Sequence, residues 1–404
     1  MPDTTLSDTG ETHWRVQVVS LLFLTLIFFL NFISRIIPAP LLPVIERDMG
    51  LGHGEAGALF LLISLGYFST LSGSGFVSSR LTHRRTIIVS CASLGAALLA
   101  VALSSSPWAV ALGLLGLGMA AGLYLPSGIA AITSLVGPRH WGKALATHEL
   151  APNLSFVLAP LTAEVFLRWM PWRGVVALVG ACALLACAAF ARYGRGGDFA
   201  GEAPGFSSVR ALAAIPSFWI MIVLFSLGIS STLGIYSMLP LYLVTERGLD
   251  QGWANTLVAL SRVSTLGTAF LAGWITDWMG PRRTMAGVFA VTGVLTVLLG
   301  VAADSWLVLV IFLQPTLAVC FFPAGFAALS LISPPESRSL AVSLAVPLGF
   351  LTGAGVVPIG IGMMADAGSF ALSFCLVGAV IAGGSSLSLL LKIPGAHTVS
   401  QARG

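Results

Sequence analysis

Charge is scarce in this chain. Only 9% of its 404 residues are Asp, Glu, Lys or Arg, against about 25% in ordinary soluble domains. That scarcity excludes a soluble globular domain. The formal charge of +4 falls in short loops between apolar runs, so it is no footprint for nucleic acid. Cysteine is equally uninformative as chemistry. Cys91, Cys182, Cys187, Cys320 and Cys375 all lie in apolar runs, without zinc-ligand spacing or a loop setting for a disulfide, and are expected to pack in the core. No metal cluster or catalytic triad stands out. The stretch from Gly137 to Ala144 approaches a phosphate-binding loop, but Ala144 stands where Ser or Thr would hold magnesium, and no strand precedes it. Neither an enzyme, a nucleotide-driven pump nor a cofactor is expected. The first residues carry Asp3, Asp8 and Glu11 where a secretory signal would be basic, so no cleavable signal is expected.

What the chain has is apolar length. It is 56% hydrophobic, with a mean hydropathy of +0.95. Apolar segments run at 16–45, 55–79, 86–105, 107–136, 143–168 and 173–193, then at 217–244, 252–277, 284–303, 305–333, 338–364 and 368–391. Each is near or above the ~20 residues that cross a bilayer as a helix, and only helices satisfy the backbone there in an open chain. The expected class is therefore an all-α polytopic membrane protein with the lipid bilayer as its solvent. Residues 194–215 form the one clear linker, between an N-terminal unit (1–193) and a C-terminal unit (216–404). With both ends placed in the cytoplasm, fourteen Lys and Arg residues fall inside and four outside, a positive-inside bias. A bacterial cytoplasmic membrane is the expected location.

The densest polar punctuation is Gly273-Trp-Ile-Thr-Asp277-Trp-Met-Gly280-Pro-Arg282-Arg283. A decayed copy lies 198 positions earlier, from Gly75 to Arg84-Arg85, with Ser79 in place of the acid and Thr82 in place of the second glycine. The same offset relates Gly50-Leu51 to Gly248-Leu249, Thr86 to Thr284, Trp108 to Trp306 and Pro160 to Pro358, which points to duplicated halves. The loop resembles the Gly-x-x-x-Asp-x-x-Gly-x-Arg-Arg signature of the major facilitator superfamily of transporters, and the resemblance covers nearly the whole chain. It implies twelve helices in two pseudo-symmetric six-helix bundles that alternate access to a central site. It also implies a gating role for Asp277, Arg282, Arg283, Gly273, Gly280, Arg84 and Arg85 at the cytoplasmic loops. Two features of the family's drug–proton exchangers are missing. Leu112 occupies the helix-4 arginine position, and Ala159 to Glu164 lacks the glycines of the helix-5 turn.

An ionised side chain at mid-bilayer costs about 2.5–3.5 kcal/mol on insertion scales, so the intramembrane charges point to function. Arg35 and Arg262 each lie ~15 Å from the outer face at 1.5 Å per residue. Glu149 sits closer to the cytoplasm and is the expected proton carrier. Its neighbour His148 points about 100° away around the helix and is not expected to pair with it. Two deep arginines against one carboxylate favour a small organic anion, bound by Arg35 and Arg262 with Asn31, Tyr67, Tyr124, Tyr236 and Gln314 around it. The alternatives are efflux of an amphiphilic compound, with structural arginines, and a non-transporting receptor of the same fold. The expected partners are a small-molecule substrate and protons, with the chain acting as a monomer.

Overall fold

The computed structural model describes residues 6–137, 140–201, 206–334 and 337–392. Among the described residues, eleven helices are long and apolar enough to cross a membrane, and twelve if one bent pair counts as a single span. They are α1 (Gln17–Met49), α2 (His53–Arg80), α3 (His83–Leu103), α4 (Pro107–Leu135), α5 (Trp141–Leu167) and α6 (Trp172–Tyr193). The second set is α7 (Pro216–Thr245), α8 (Gln251–Thr268 with Leu271–Met279, bent by 49°), α9 (Pro281–Val301), α10 (Asp304–Ile332), α11 (Leu340–Asp366) and α12 (Phe370–Leu390). No strand occurs among the described residues. A short helix, Phe206–Ala213, lies within the linker. Twelve alternating spans put the start of α1, the end of α12 and the linker on one side, here the terminal face; the opposite side is the distal face.

Local rules set the helix ends. α1 stops where Gly50 adopts φ 63°, and α7 is followed by Gly248 at φ 64°, a left-handed conformation that glycine reaches without steric cost. Ser106 and Asp250 accept hydrogen bonds from the third backbone N–H beyond them and so cap α4 and α8. The duplication is legible in contacts as well. Arg84, at the start of α3, donates to the carbonyl of Ala191 at the end of α6 at 2.8 Å, and Arg282 donates to the carbonyl of Leu389 at the end of α12. Both donors and both acceptors stand 198 positions apart, and each cation meets the negative end of a helix dipole.

Close helix packing positions the interior. A Cβ on Gly66 would lie 2.7 Å from the backbone N of Met119, and one on Gly122 would lie 2.5 Å from the Tyr67 carbonyl. Glycine therefore lets α2 and α4 meet backbone to backbone. Across the halves, α2 packs on α11 and α5 on the first part of α8, while the second part of α8 turns toward α9 and α10. A Cβ on Gly57 would stand 2.5 Å from the Pro358 carbonyl. The distal face is thus closed by direct backbone contact between the halves. Of the cysteines, Cys91, Cys187 and Cys320 are buried, Cys375 is partly so, and Cys182 is exposed on the outer face of α6, where lipid rather than core would surround it.

Candidate functional site

α1 breaks at Ile37, ahead of Pro38, and leaves Arg35 on the last turn before the break. α1 continues to Met49, so Arg35 lies about 21 Å from the distal end and Arg262 about 16 Å at 1.5 Å per residue. Both guanidiniums are buried, at 7% and 3% exposure. Neither has a carboxylate within ion-pair distance among the described residues. A structural role for the arginines would have them pair with Glu149 or with helix carbonyls; neither pairs with Glu149, but each donates to one backbone carbonyl.

Each arginine sits instead in a cage of rings. Arg35 lies 4.3 Å from the centroid of Tyr67 on α2, 4.8 Å from Phe32 and 5.6 Å from Phe350 on α11. Arg262 lies 4.9 Å from both Tyr236 on α7 and Phe156 on α5. The rings supply cation–π attraction to the faces of the guanidiniums but take few of their N–H groups. Arg35 Nε donates to the Asn31 carbonyl at 3.4 Å, and Arg262 Nη2 donates to the Thr232 carbonyl at 3.3 Å. Arg262 Nε and the Tyr236 hydroxyl have no hydrogen-bond partner among the described residues.

The two cages are related by the duplication. Arg35, Tyr67 and Phe350 come from α1, α2 and α11, while Tyr236, Arg262 and Phe156 come from the equivalent α7, α8 and α5. Arginine and tyrosine have exchanged helices between the halves. Ser64 and Ala354, the counterparts of Arg262 and Phe156 at the 198 offset, both line the cavity beside Arg35. That cavity measures about 30 Å³, room for little more than water. Each cage also spans both halves, because Phe350 covers Arg35 and Phe156 covers Arg262.

A feature absent from the sequence reading feeds the second cage. α7 contains a π-helical turn at Ser230–Gly234, and α11 one at Phe350–Val356. Such turns depart from the regular α-helical hydrogen-bond ladder. Thr232 gives its carbonyl to Arg262, and Ser231 gives its carbonyl to Gln314 Nε2 at 2.8 Å. Gln314 is thereby tied to backbone and to Thr296. Asn31 Nδ2 donates to the Ala121 carbonyl at 3.0 Å, joining α1 to α4. Tyr124 is buried, with its hydroxyl against Leu24 and His148. Among the expected ligand residues, Tyr67 and Tyr236 face the guanidiniums, whereas Asn31, Tyr124 and Gln314 hold helices in place.

Glu149 points into open space, 60% exposed, within electrostatic reach of Tyr67 and Tyr124. His148 does approach it, contrary to expectation: Nδ1 stands 3.9 Å from Glu149 Oε1. The angular step of the helix fixes Cβ directions, but both side chains are long enough to bend toward each other. Asp277 forms no hydrogen bond or ion pair among the described residues and is exposed. Gly273 and Gly280 flank it, the latter at φ 82°.

The distal face holds a contact between residues 312 and 313 positions apart that sequence spacing cannot reveal. The Asp366 carboxylate, at the end of α11, accepts from the backbone N–H groups of His53 (2.7 Å) and Gly54 (2.8 Å) at the start of α2. A carboxylate at a helix N-terminus satisfies unpaired donors and meets the positive end of the dipole. His53 Nδ1 in turn stands 2.8 Å from Glu46 Oε2.

The family model described as Major Facilitator Superfamily matches residues 24–279. No curated protein sequence matches the chain. Among solved structures, a bacterial homologue of the human lysosomal transporter Spinster, in an inward-facing and unoccupied conformation, superposes at TM-score 0.82 with 16% identity. That match covers 93% of this chain and 97% of the other. A D-xylose–proton symporter gives 0.76 at 15% identity over 93% and 97% of the two chains. A nucleoside transporter, NupG, gives 0.76 at 14% over 92% and 98%. The chain belongs to the Major Facilitator Superfamily.

Proposed function

We propose that this transporter carries a small organic anion, a carboxylate foremost, by alternating access, with the anion held between Arg35 and Arg262 and a proton carried at Glu149. One observation supports this reading above the rest. Two buried arginines, one from each half, have ring-covered guanidinium faces and no acidic partner among the described residues, and Arg262 Nε has no hydrogen-bond partner there. An unpaired buried charge costs several kcal/mol, and a carboxylate accepting two parallel N–H bonds from each fork removes that cost. Tyr67 and Tyr236 border the anion, while Asn31, Tyr124 and Gln314 fix the helices that carry it. Because each cage is closed by a phenylalanine from the opposite half, occupancy and closure are linked. The terminal face, with its surplus of Lys and Arg, is cytoplasmic, and the protein works as a monomeric symporter in a bacterial cytoplasmic membrane. Asp277, Arg282, Arg283, Gly273, Gly280, Arg84 and Arg85 shape the gate on that face when the opposite conformation forms.

The test is binding of a panel of carboxylates, including succinate and benzoate, to the purified wild type and to Arg35→Lys and Arg262→Lys. Lysine keeps the charge and loses the planar fork, so at least one carboxylate should bind the wild type and weaken about 10- to 100-fold in either variant, or about 1.4–2.8 kcal/mol. Unchanged affinity in both variants, with a lowered melting temperature, assigns the arginines to structure and contradicts the proposal.

A further inference from the structure

His148 is fully buried on α5. Its ring lies flat on Phe28 of α1, with centroids 4.2 Å apart and planes at 2°. Nε2 stands 3.0 Å from the Tyr124 hydroxyl of α4, and that hydroxyl stands 2.7 Å from the Leu24 carbonyl. These distances fix the tautomer. A carbonyl only accepts, so the one phenolic hydrogen goes to Leu24, and the Tyr124 oxygen is left to accept from His148. The imidazole hydrogen is therefore on Nε2. Nδ1 is a bare lone pair, buried and without a hydrogen-bond partner among the described residues. The acid beside it is Glu149, with Oε1 at 3.9 Å.

Two acceptors thus stand 3.9 Å apart with no hydrogen between them, one buried in the bundle and one exposed. We propose that His148 and Glu149 form a single one-proton site, in which Glu149 exchanges the proton with water on its exposed side and His148 Nδ1 is the internal base that retains it. The proton enters on Glu149 Oε1 from water on its exposed side; a small turn of the Glu149 side chain from the 3.9 Å separation brings Oε1 within hydrogen-bond reach of Nδ1, giving either a carboxylic acid donating to imidazole or an imidazolium facing a carboxylate. Either form changes the net charge of the pair from −1 to 0. This deepens the symport reading: a carboxylate within electrostatic reach of Tyr67 disfavours an incoming anion, and loading the proton removes that charge, so that one proton accompanies one anion.

The groups facing the pair are few. Phe28 and the Leu24 carbonyl come from α1 and Tyr124 from α4. Cys91 of α3 is within electrostatic reach of Tyr124, and Tyr67 of α2 within reach of Glu149. No Lys or Arg pairs with either residue among the described residues. The route to the anion site is short, because Phe28 and Arg35 lie seven residues apart on α1, two turns along one face. Phe32 bridges them, 6.4 Å from Phe28 and 4.8 Å from Arg35.

The experiment needs no anion. Infrared difference spectra of the purified full-length protein are recorded as pH is stepped from 8 to 5, for the wild type, His148→Phe, Tyr124→Phe and Glu149→Gln. His148→Phe keeps the ring stack and removes the base. Tyr124→Phe frees Nε2, so the ring can turn its hydrogen toward Glu149 and favour the carboxylate. In the wild type the carboxyl and imidazole bands should change together, and both should be lost in Glu149→Gln. In His148→Phe and Tyr124→Phe the carboxyl change should move down by one pH unit or more. If His148→Phe does not fold, Tyr124→Phe and Glu149→Gln decide the matter. A Glu149 band that titrates at the wild-type pH in every folded variant, or an imidazole band that persists in Glu149→Gln, overturns the dyad. Failure of the carboxylate panel would overturn the anion reading and leave these spectra unaffected.

Discussion

The starts of α2 and α8 are the same place in two copies of one plan, and the protein treats them differently. Gly54 and Gly252 stand 198 positions apart, and each faces an acid from the other half: Asp366 of α11 beside Gly54, Glu164 of α5 beside Gly252. At α2 the acid reaches across and caps the helix. At α8 the cap is the helix's own Asp250, bonded to the Trp253 N–H at 3.1 Å. Glu164 instead accepts from Arg168 on its own helix at 2.7 and 3.1 Å. Duplication supplied two equivalent interfaces, and only one became a charged bridge between the halves. The distal closure is therefore asymmetric: a latch on the α2–α11 side and packing on the α5–α8 side.

That contrast can be broken at several points. The largest effect is expected from Gly57→Ala, where the new methyl would stand 2.5 Å from the Pro358 carbonyl and 2.8 Å from Ile359 Cα. Backbone cannot yield there without parting α2 from α11. The distal-closed population should fall more than tenfold, seen as a lengthened spin-label distance between the distal ends of α2 and α11. An unchanged distance would show that this contact does not hold the face shut. Next comes Asp366→Asn, which keeps the shape but removes the charge that favours the helix N-terminus. The group is exposed, so screening limits the effect to about 1 kcal/mol or less, a shift of up to about fivefold toward distal opening. Glu164→Gln, the matched change on the other side, should move the same distance distribution least. If Glu164→Gln opened the face as far as Asp366→Asn, the asymmetry would be wrong.

Much of the fold was legible because bilayer crossing leaves a compositional mark, and the 198 offset was legible because turns and caps constrain residue type. Gly50 and Gly248 share a left-handed φ, and Arg84 and Arg282 share a helix-end carbonyl. Arg35 and Arg262 stood out because charge inside an apolar run is costly. The rest depends on tertiary neighbours. The Asp366 cap joins residues more than 300 positions apart, and the π-turns of α7 and α11 leave no composition signal. The His148–Glu149 approach escaped a helical-wheel argument that stops at Cβ. The aromatic cages draw on three helices each, with arginine and tyrosine exchanged between halves, so a repeat comparison read position by position passes over them.

The central claim is that one anion is held by both halves at once. A double-mutant cycle on carboxylate affinity, comparing wild type, Arg35→Lys, Arg262→Lys and the double variant, tests it most directly. Two forks on one anion predict coupled losses, the double variant departing from additivity by about 1 kcal/mol or more. Losses that add within about 0.3–0.5 kcal/mol, or a loss confined to one arginine, would place the anion in a single half and contradict the account.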